Sequence, residues 1–326
     1  LGVSIKKVLY LNWPLFLLIV AVSAFGFLML YSVANGNLMP WSKPQITRFL
    51  FGLIIFYIIS FINIKIWQSL SLYIYLFLLL LLIAVIFFGN TGMGAKRWID
   101  LKFINLQPSE FMKIGLVMAL SFYYTWLKPE KISKPIWVII PIIIISIPTI
   151  LIIIQPDLGT GLLLLLIGTT IMFLAGVSLW YFAIFLISII PILSIINYSR
   201  NTSWQLLTNY QFKRIDTFLD PSLDPLGSGY HITQSKIALG SGGLTGKGFM
   251  QGTQSQLNFL PEKHTDFIFT TIAEEFGFFG TIGLLIIYGT IVFLCSISAF
   301  FNNNKFGALI TMGLTITFFS YFGMNI

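Results

Sequence analysis

Nine apolar runs, each near the ~20 residues that a helix needs to cross a bilayer, recur along the chain and leave little room for another architecture. Their limits read as 13–34, 46–62, 66–88, 108–127, 136–154, 158–175, 179–197, 267–300 and 306–326, the second short and the eighth long. Only 9% of the 326 residues are charged and 57% are hydrophobic, which excludes a soluble domain of this length. The expected fold class is an all-α polytopic membrane protein. A single helical domain over 1–326 carries one long polar loop at 198–266. Lys6 and Lys7 precede an apolar run too long for a signal-peptide core, so it is read as a first span rather than a removable leader. Cys295 is the lone cysteine and falls within an apolar run, so no disulfide framework is expected.

Basic residues in short loops set the orientation. With the N-terminus in the cytoplasm, the inner loops hold Lys6, Lys7, Lys65, Lys128, Lys131, Lys134 and Lys305. The outer loops hold Lys43, Arg48, Lys96, Arg97 and Lys102. This bias is small, but it places the long loop outside the cytoplasm. The net charge of +8 fits anionic headgroups, or an anionic lipid-linked substrate, better than nucleic acid in a chain this apolar.

The polar chemistry is concentrated in a few places. Glu262, Lys263, His264 and Asp266 stand together where the long loop meets the eighth run, so Asp266 sits at the water–lipid boundary. Glu274 lies on the same helix face about 12 Å deeper at ~1.5 Å per residue. Glu274 and Glu275 form a pair for which the sequence names no partner. Lys96, Arg97 and Trp98 occupy an outer loop, either as a solvated interfacial turn or as a grip on phosphate. Glu110 and Lys113 are three apart at the start of the fourth run, so they share a helix face and can pair. Asp157 follows Pro156 and reads either as an N-cap or as a second outer carboxylate. A short helix is expected over Tyr230–Leu239. The stretch Gly240–Phe249 looks like a phosphate-binding P-loop and is not one. Ser241 stands where that pattern needs glycine, and Gly248 where it needs a hydroxyl. Its backbone N–H groups with Lys247 would hold an anion, or the stretch is a flexible turn.

These residues resemble a known family. The run from Asp224 to Phe249, followed by Pro261-Glu-Lys-His-Thr-Asp266, is similar to the SEDS proteins (shape, elongation, division and sporulation). Gly94-Ala-Lys-Arg-Trp98, Gln107-Pro-Ser-Glu110 and Gln155-Pro-Asp-Leu-Gly159 match in the same order. The stretch from Lys247 to Gln254 is closer to the elongation branch than to the division branch. The resemblance implies a ten-helix bundle, of which about nine helices fall within this sequence, the remainder lying beyond Ile326. It implies a peptidoglycan glycosyltransferase of the bacterial inner membrane that polymerises lipid II on the outer face. Its implied partner is a class B penicillin-binding protein, the transpeptidase of the elongation machinery. Asp266 matches the family's catalytic aspartate. Arg97, Trp98, Glu110, Lys113 and Asp157 match residues lining its central cavity, and His264 stands with them as a substrate-binding residue.

The implied reaction needs a base for an acceptor hydroxyl and stabilisation for a departing pyrophosphate. Asp266 is the expected base, in a desolvated boundary site. Arg97, Lys113 and Lys247 are the expected cations, acting directly or through a divalent cation such as Mg2+. Two other functions remain open from the residues: a lipid II flippase, and a scaffold that only binds the penicillin-binding protein.

Overall fold

The computed structural model describes residues 12–92, 95–100, 105–224, 227–257 and 263–325. Lys6, Lys7, Lys102, Gly94 and Glu262, all singled out in the sequence, lie outside these residues. Each of the nine apolar runs is a helix. They are α1 (Trp13–Val33), α2 (Ser42–Phe61), α3 (Ile64–Phe88), α4 (Pro108–Trp126), α5 (Pro135–Ile154), α6 (Leu158–Leu174), α7 (Leu179–Tyr198), α11 (Ile268–Phe300) and α12 (Lys305–Met324). Between α7 and α11 come α8 (Asn209–Leu219), α9 (Ser228–Ser241) and the single turn α10 (Thr253–Gln256). Among the described residues, seven helices are long and apolar enough to cross a membrane; α6 is shorter, and α4 carries Glu110 and Lys113. The second span is not short. Lys43, Gln45 and Arg48 lie inside the first turns of α2, where polar residues hide the helix from an apolar count.

One difference from the all-helical expectation lies between α3 and α4. The expected outer loop is a three-stranded antiparallel sheet, β1 (Asn90–Gly92), β2 (Ala95–Asp100) and β3 (Asn105–Leu106). Trp98 pairs with Asn90, and Ile99 with Leu106. Such short strands carry no alternating apolar pattern for the sequence to reveal.

The chain divides into two compact units. One comprises 64–213 and 296–320, with a core from α3 to α6 and α12. Leu82, Leu116, Leu120, Tyr124, Ile152, Leu164 and Ile171 are buried there. Helix α4 is the most enclosed, with 13 of its 19 residues buried. Small residues allow close helix packing, the usual device where lipid removes the hydrophobic drive for association. A Cβ on Gly115 would meet Leu78 at 2.7 Å, and one on Gly168 would meet Ile145 at 2.6 Å. Tyr75 and Tyr123 donate to the backbone oxygens of Ile144 and Trp137 at 2.9 and 2.6 Å. Helix α7 has no buried residue among its 20 and presents apolar side chains on every side.

The other unit comprises 12–63, 214–295 and 321–325. Met29 of α1 packs with Phe269, Ile272 and Leu284 of α11. The long eighth run resolves into two helices joined at a kink. Gly277 has φ 64° and ψ −162°, a backbone conformation that only glycine adopts without strain, and it breaks the helix. In an unbroken helix Phe278 N and Phe279 N would bond the carbonyls of Glu274 and Glu275. Here they bond Gly243 O and Leu244 O at 2.9 and 3.1 Å. The two released carbonyls accept from Lys247 N and Gly248 N, both at 3.0 Å. The glycine-rich stretch is therefore a splint laid into the break. It satisfies the four freed groups with four bonds in place of two, each worth about 0.5–1.5 kcal/mol net and far more if left unmade in an apolar medium. The glycines are needed for contact. A Cβ on Gly242 would overlap Ala273 O, and one on Gly246 would overlap Glu275 O.

Candidate active site

Asp266 stands in the turn 263–267, two residues ahead of α11, so it lies outside the first helical turn. Its side chain is exposed rather than desolvated, because the helix starts only at Ile268. The turn is held on both flanks. Lys263 is 4% exposed, and burial pulls its ammonium pKa down. The His264 ring stacks on Trp41, with centroids 4.5 Å apart and planes 11° apart. Trp41 immediately precedes α2. On the other flank His231 of α9 faces Phe267, with centroids 6.3 Å apart. Among the described residues, Nδ1 of both histidines is buried with no hydrogen-bond partner. Neither Trp41 nor His231 could be placed here from sequence, because each meets the turn across a large separation along the chain.

Glu274 and Glu275 receive the partners that the sequence could not name. Glu274 is fully buried. Its Oε1 accepts from Lys247 Nζ at 2.7 Å, Thr253 Oγ1 at 3.0 Å and Gln254 N at 3.0 Å. Glu275, 1% exposed, accepts from the Ser32 hydroxyl of α1. Lys247 was expected at an anion, with its neighbouring N–H groups. The structure instead commits its ammonium to Glu274 and Thr253, and the N–H groups of 246–248 to backbone oxygens. An open anion nest is absent because the helix break consumes those donors.

The other unit holds the remaining sequence candidates. Lys113 Nζ donates to Glu110 Oε1 at 2.8 Å, as the three-residue spacing implies. Lys113 is 1% exposed, so it is buried in protein and does not reach for the interface. Asp157 caps α6, accepting from Thr160 N at 3.4 Å and Thr160 Oγ1 at 3.0 Å. It also faces Arg97, with Nε 3.8 Å from Oδ2. The N-cap reading of Asp157 is the one this geometry bears out. Arg97 Nη2 donates to Pro156 O at 2.6 Å. Its Nε is buried without a hydrogen-bond partner among the described residues, since 3.8 Å is an ionic contact and not a hydrogen bond. Arg97 and Trp98 are consecutive in β2, so they face opposite sides of the sheet. Trp98 is 38% exposed. Gln155, between Pro156 and α5, donates to Leu82 O at 3.0 Å and ties α5 to α3.

The chain is similar to known proteins in sequence and in fold. MrdB of Escherichia coli K12, a peptidoglycan glycosyltransferase, is 36% identical over 318 residues, covering 97% of this chain and 83% of that protein. A probable peptidoglycan glycosyltransferase FtsW of Buchnera aphidicola subsp. Baizongia pistaciae is 34% identical over 290 residues, 89% of this chain and 72% of its own length. Among solved structures, a chain from a study of polymerization and crosslinking by a peptidoglycan synthase complex superposes with a TM-score of 0.76 at 27% identity, covering 94% of this chain and 83% of its own. The rod shape determining protein RodA of Thermus thermophilus shares the fold at a TM-score of 0.64 and 23% identity, over 94% of this chain and 82% of its own. The family model for FtsW, RodA and SpoVE cell cycle proteins matches residues 11–326, and the chain is a multi-pass membrane protein belonging to that family.

Proposed function

We propose that this protein is a peptidoglycan glycosyltransferase that polymerises lipid II into glycan strands during cell elongation. The N-terminus lies in the cytoplasm, and the segment 198–266 with Asp266 faces outward from the inner membrane. A class B penicillin-binding protein is the partner that crosslinks the product. The observation that carries this reading is an exposed aspartate in a turn clamped by Trp41 and His231, within a chain matching a glycosyltransferase over nearly its whole length.

Asp266 takes the proton from the 4-hydroxyl of the acceptor sugar. That oxygen attacks the anomeric carbon of the donor strand, and the bond to the lipid pyrophosphate breaks as the new glycosidic bond forms. General base catalysis of this kind contributes about 10²–10⁴-fold. Arg97 and Lys113 are the cations for the leaving pyrophosphate, with Glu110 and Asp157 holding them. The unpartnered Nε of Arg97 is a donor with its hydrogen bond still to make. Among the described residues, no three His, Cys, Asp or Glu side chains converge to hold a divalent cation such as Mg2+. His264 and Trp98 line the substrate path in this reading.

One observation favours a second reading. Broken helices with buried carboxylates are common in transporters, where the freed peptide groups bind cargo, and α11 is broken beside Glu274 and Glu275. Here the freed groups are occupied by the splint, which favours the enzyme over a flippase. The test is polymerisation of fluorescent lipid II by purified protein with its penicillin-binding partner. Wild type yields glycan ladders and Asp266→Asn yields none. Ladders from both discard Asp266 as the base. No ladder from either, beside a working control polymerase, discards the enzyme in favour of translocation.

A further inference from the structure

We propose that Lys247 and Glu274 are positioning residues for the reaction assigned to Asp266. Their ion pair clamps the segment 242–254 into the break of α11. It thereby fixes the half-helix 268–276, whose leading turn carries Asp266. The inference rests on the proposed function and goes beyond it, because neither residue touches the reacting atoms.

The geometry argues for a clamp in three ways. First, the half-helix is not continuous with the rest of α11. Gly277 interrupts the ladder, and what connects the two halves is the splint from Gly243 to Gly248. Second, the splint is held by charge from inside. Glu274 Oε1 gathers three donors, the Lys247 ammonium, the Thr253 hydroxyl and the Gln254 amide, and all three belong to the splint segment. Glu274 Oε2 is buried with no hydrogen-bond partner among the described residues. Loss of Lys247 would leave a fully buried carboxylate with only neutral donors. Third, the half-helix has room to shift. A cavity of about 230 Å³ lies beside the break, lined by Gly243, Phe269, Ala273, Gly277 and Thr281. The half-helix also packs on α1, with Phe269 and Ile272 against Met29 and Phe276 meeting Phe25 at 5.5 Å between centroids, and Phe276 meets Phe249 at 6.2 Å.

A buried ion pair invites a purely structural explanation, so the test separates stability from positioning. Lys247→Met, Glu274→Gln, the double variant and Lys247→Arg are purified in complex with the penicillin-binding partner. Polymerisation gives kcat and the KM for lipid II per folded molecule. Hydrogen–deuterium exchange reads the amides of 247, 248, 278 and 279. Each neutralising single variant is expected to lower kcat about 10–100-fold, the range of a small misplacement. Its KM stays within about twofold, and exchange at the four amides rises. Lys247→Arg keeps the cation and retains kcat. The double variant leaves no lone buried charge and recovers part of kcat.

A raised KM at unchanged kcat overturns the proposal, because Lys247 would then touch substrate. Unchanged exchange overturns the clamp. Intact kcat per folded molecule reduces the pair to stability alone. If wild type itself makes no glycan, the proposed function fails separately, and exchange still decides whether the pair clamps the splint.

Discussion

The two compact units hold their buried charges in opposite ways. In the unit built on α3 to α6, the helix-face and capping contacts are local, and only Arg97 reaches its carboxylate across a long separation. Lys113 meets Glu110 three residues away, and Asp157 caps its own helix before facing Arg97. Those pairs leave something over, since the Arg97 Nε is buried and unpartnered among the described residues. In the unit built on α1 and α11, buried carboxylates are wrapped by residues far away in sequence. Lys247 is 27 residues from Glu274, and Ser32 is 243 from Glu275. The exposed Asp266 sits eight residues ahead of Glu274, in the turn that leads into its helix. The difference teaches a division of labour. One unit keeps an Arg97 donor unpartnered among the described residues, and the other spends Lys247 on holding a helix still behind the exposed Asp266.

The sharpest way to break this comparison is Asp266→Asn. The side chain keeps its size and is exposed, so the melting temperature should hold while kcat falls about 10²–10⁴-fold. A fall in stability comparable to that of a core variant would place Asp266 with Glu274 among the structural carboxylates. Gly277→Ala should do the reverse. A Cβ there meets Gly246 N and Leu244, and the backbone leaves the region open to other residues. Strain alone is about 1–3 kcal/mol, and displacement of the splint adds to it. Thermal unfolding in detergent should show the loss, and an unchanged melting temperature would mean that the splint contributes nothing.

The pair Glu110–Lys113 sharpens the other side. Their environments differ: the side chain of Lys113 is 2% exposed and that of Glu110 39%. Glu110→Gln leaves a buried ammonium poorly matched and should destabilise by about 1–3 kcal/mol. Lys113→Met replaces a buried charge with an apolar side chain of similar length, which is often neutral for stability. Its effect should appear as weaker lipid II binding, about tenfold in KM. Equal loss of melting temperature in both variants would show that the pair is only a structural contact.

How much of this was readable follows the same division. The nine helices are legible as apolar runs of about 20 residues, and the Glu110–Lys113 contact and the Asp157 cap depend on residues within about one turn of each other, so sequence spacing carries that information directly. The sheet at β1 to β3 escaped because strands of two to six residues have no period to detect. The break in α11 escaped because Gly277 lies in an apolar run, where a glycine is as common as a kink is rare. The role of Gly240–Phe249 escaped because a glycine-rich loop looks alike whether it cradles an anion or a backbone. What distinguishes the two is which carbonyls lie opposite, and that is decided by α11, some thirty residues further on. Asp266 itself was legible through its motif, while the residues that hold its turn, Trp41 and His231, were not.

The smallest expected effect concerns Lys263, the buried cation beside Asp266. Burial lowers its pKa in the folded protein relative to the unfolded chain. Between the two values the unfolded chain binds more protons, so stability rises with pH across that window. Below it the folded protein carries a desolvation penalty on the ammonium that outweighs what its contacts return. Lys263→Met removes the titration. The variant should therefore melt slightly higher than wild type at about pH 7, with the advantage shrinking as wild type gains stability toward about pH 10. Melting temperatures of both proteins across that range decide it. If the variant melts lower at neutral pH, Lys263 is a favourable ion-pair partner, and this unit would wrap its cations as tightly as its carboxylates. If the curves converge at high pH, the ammonium is a tolerated strain, kept next to the exposed Asp266.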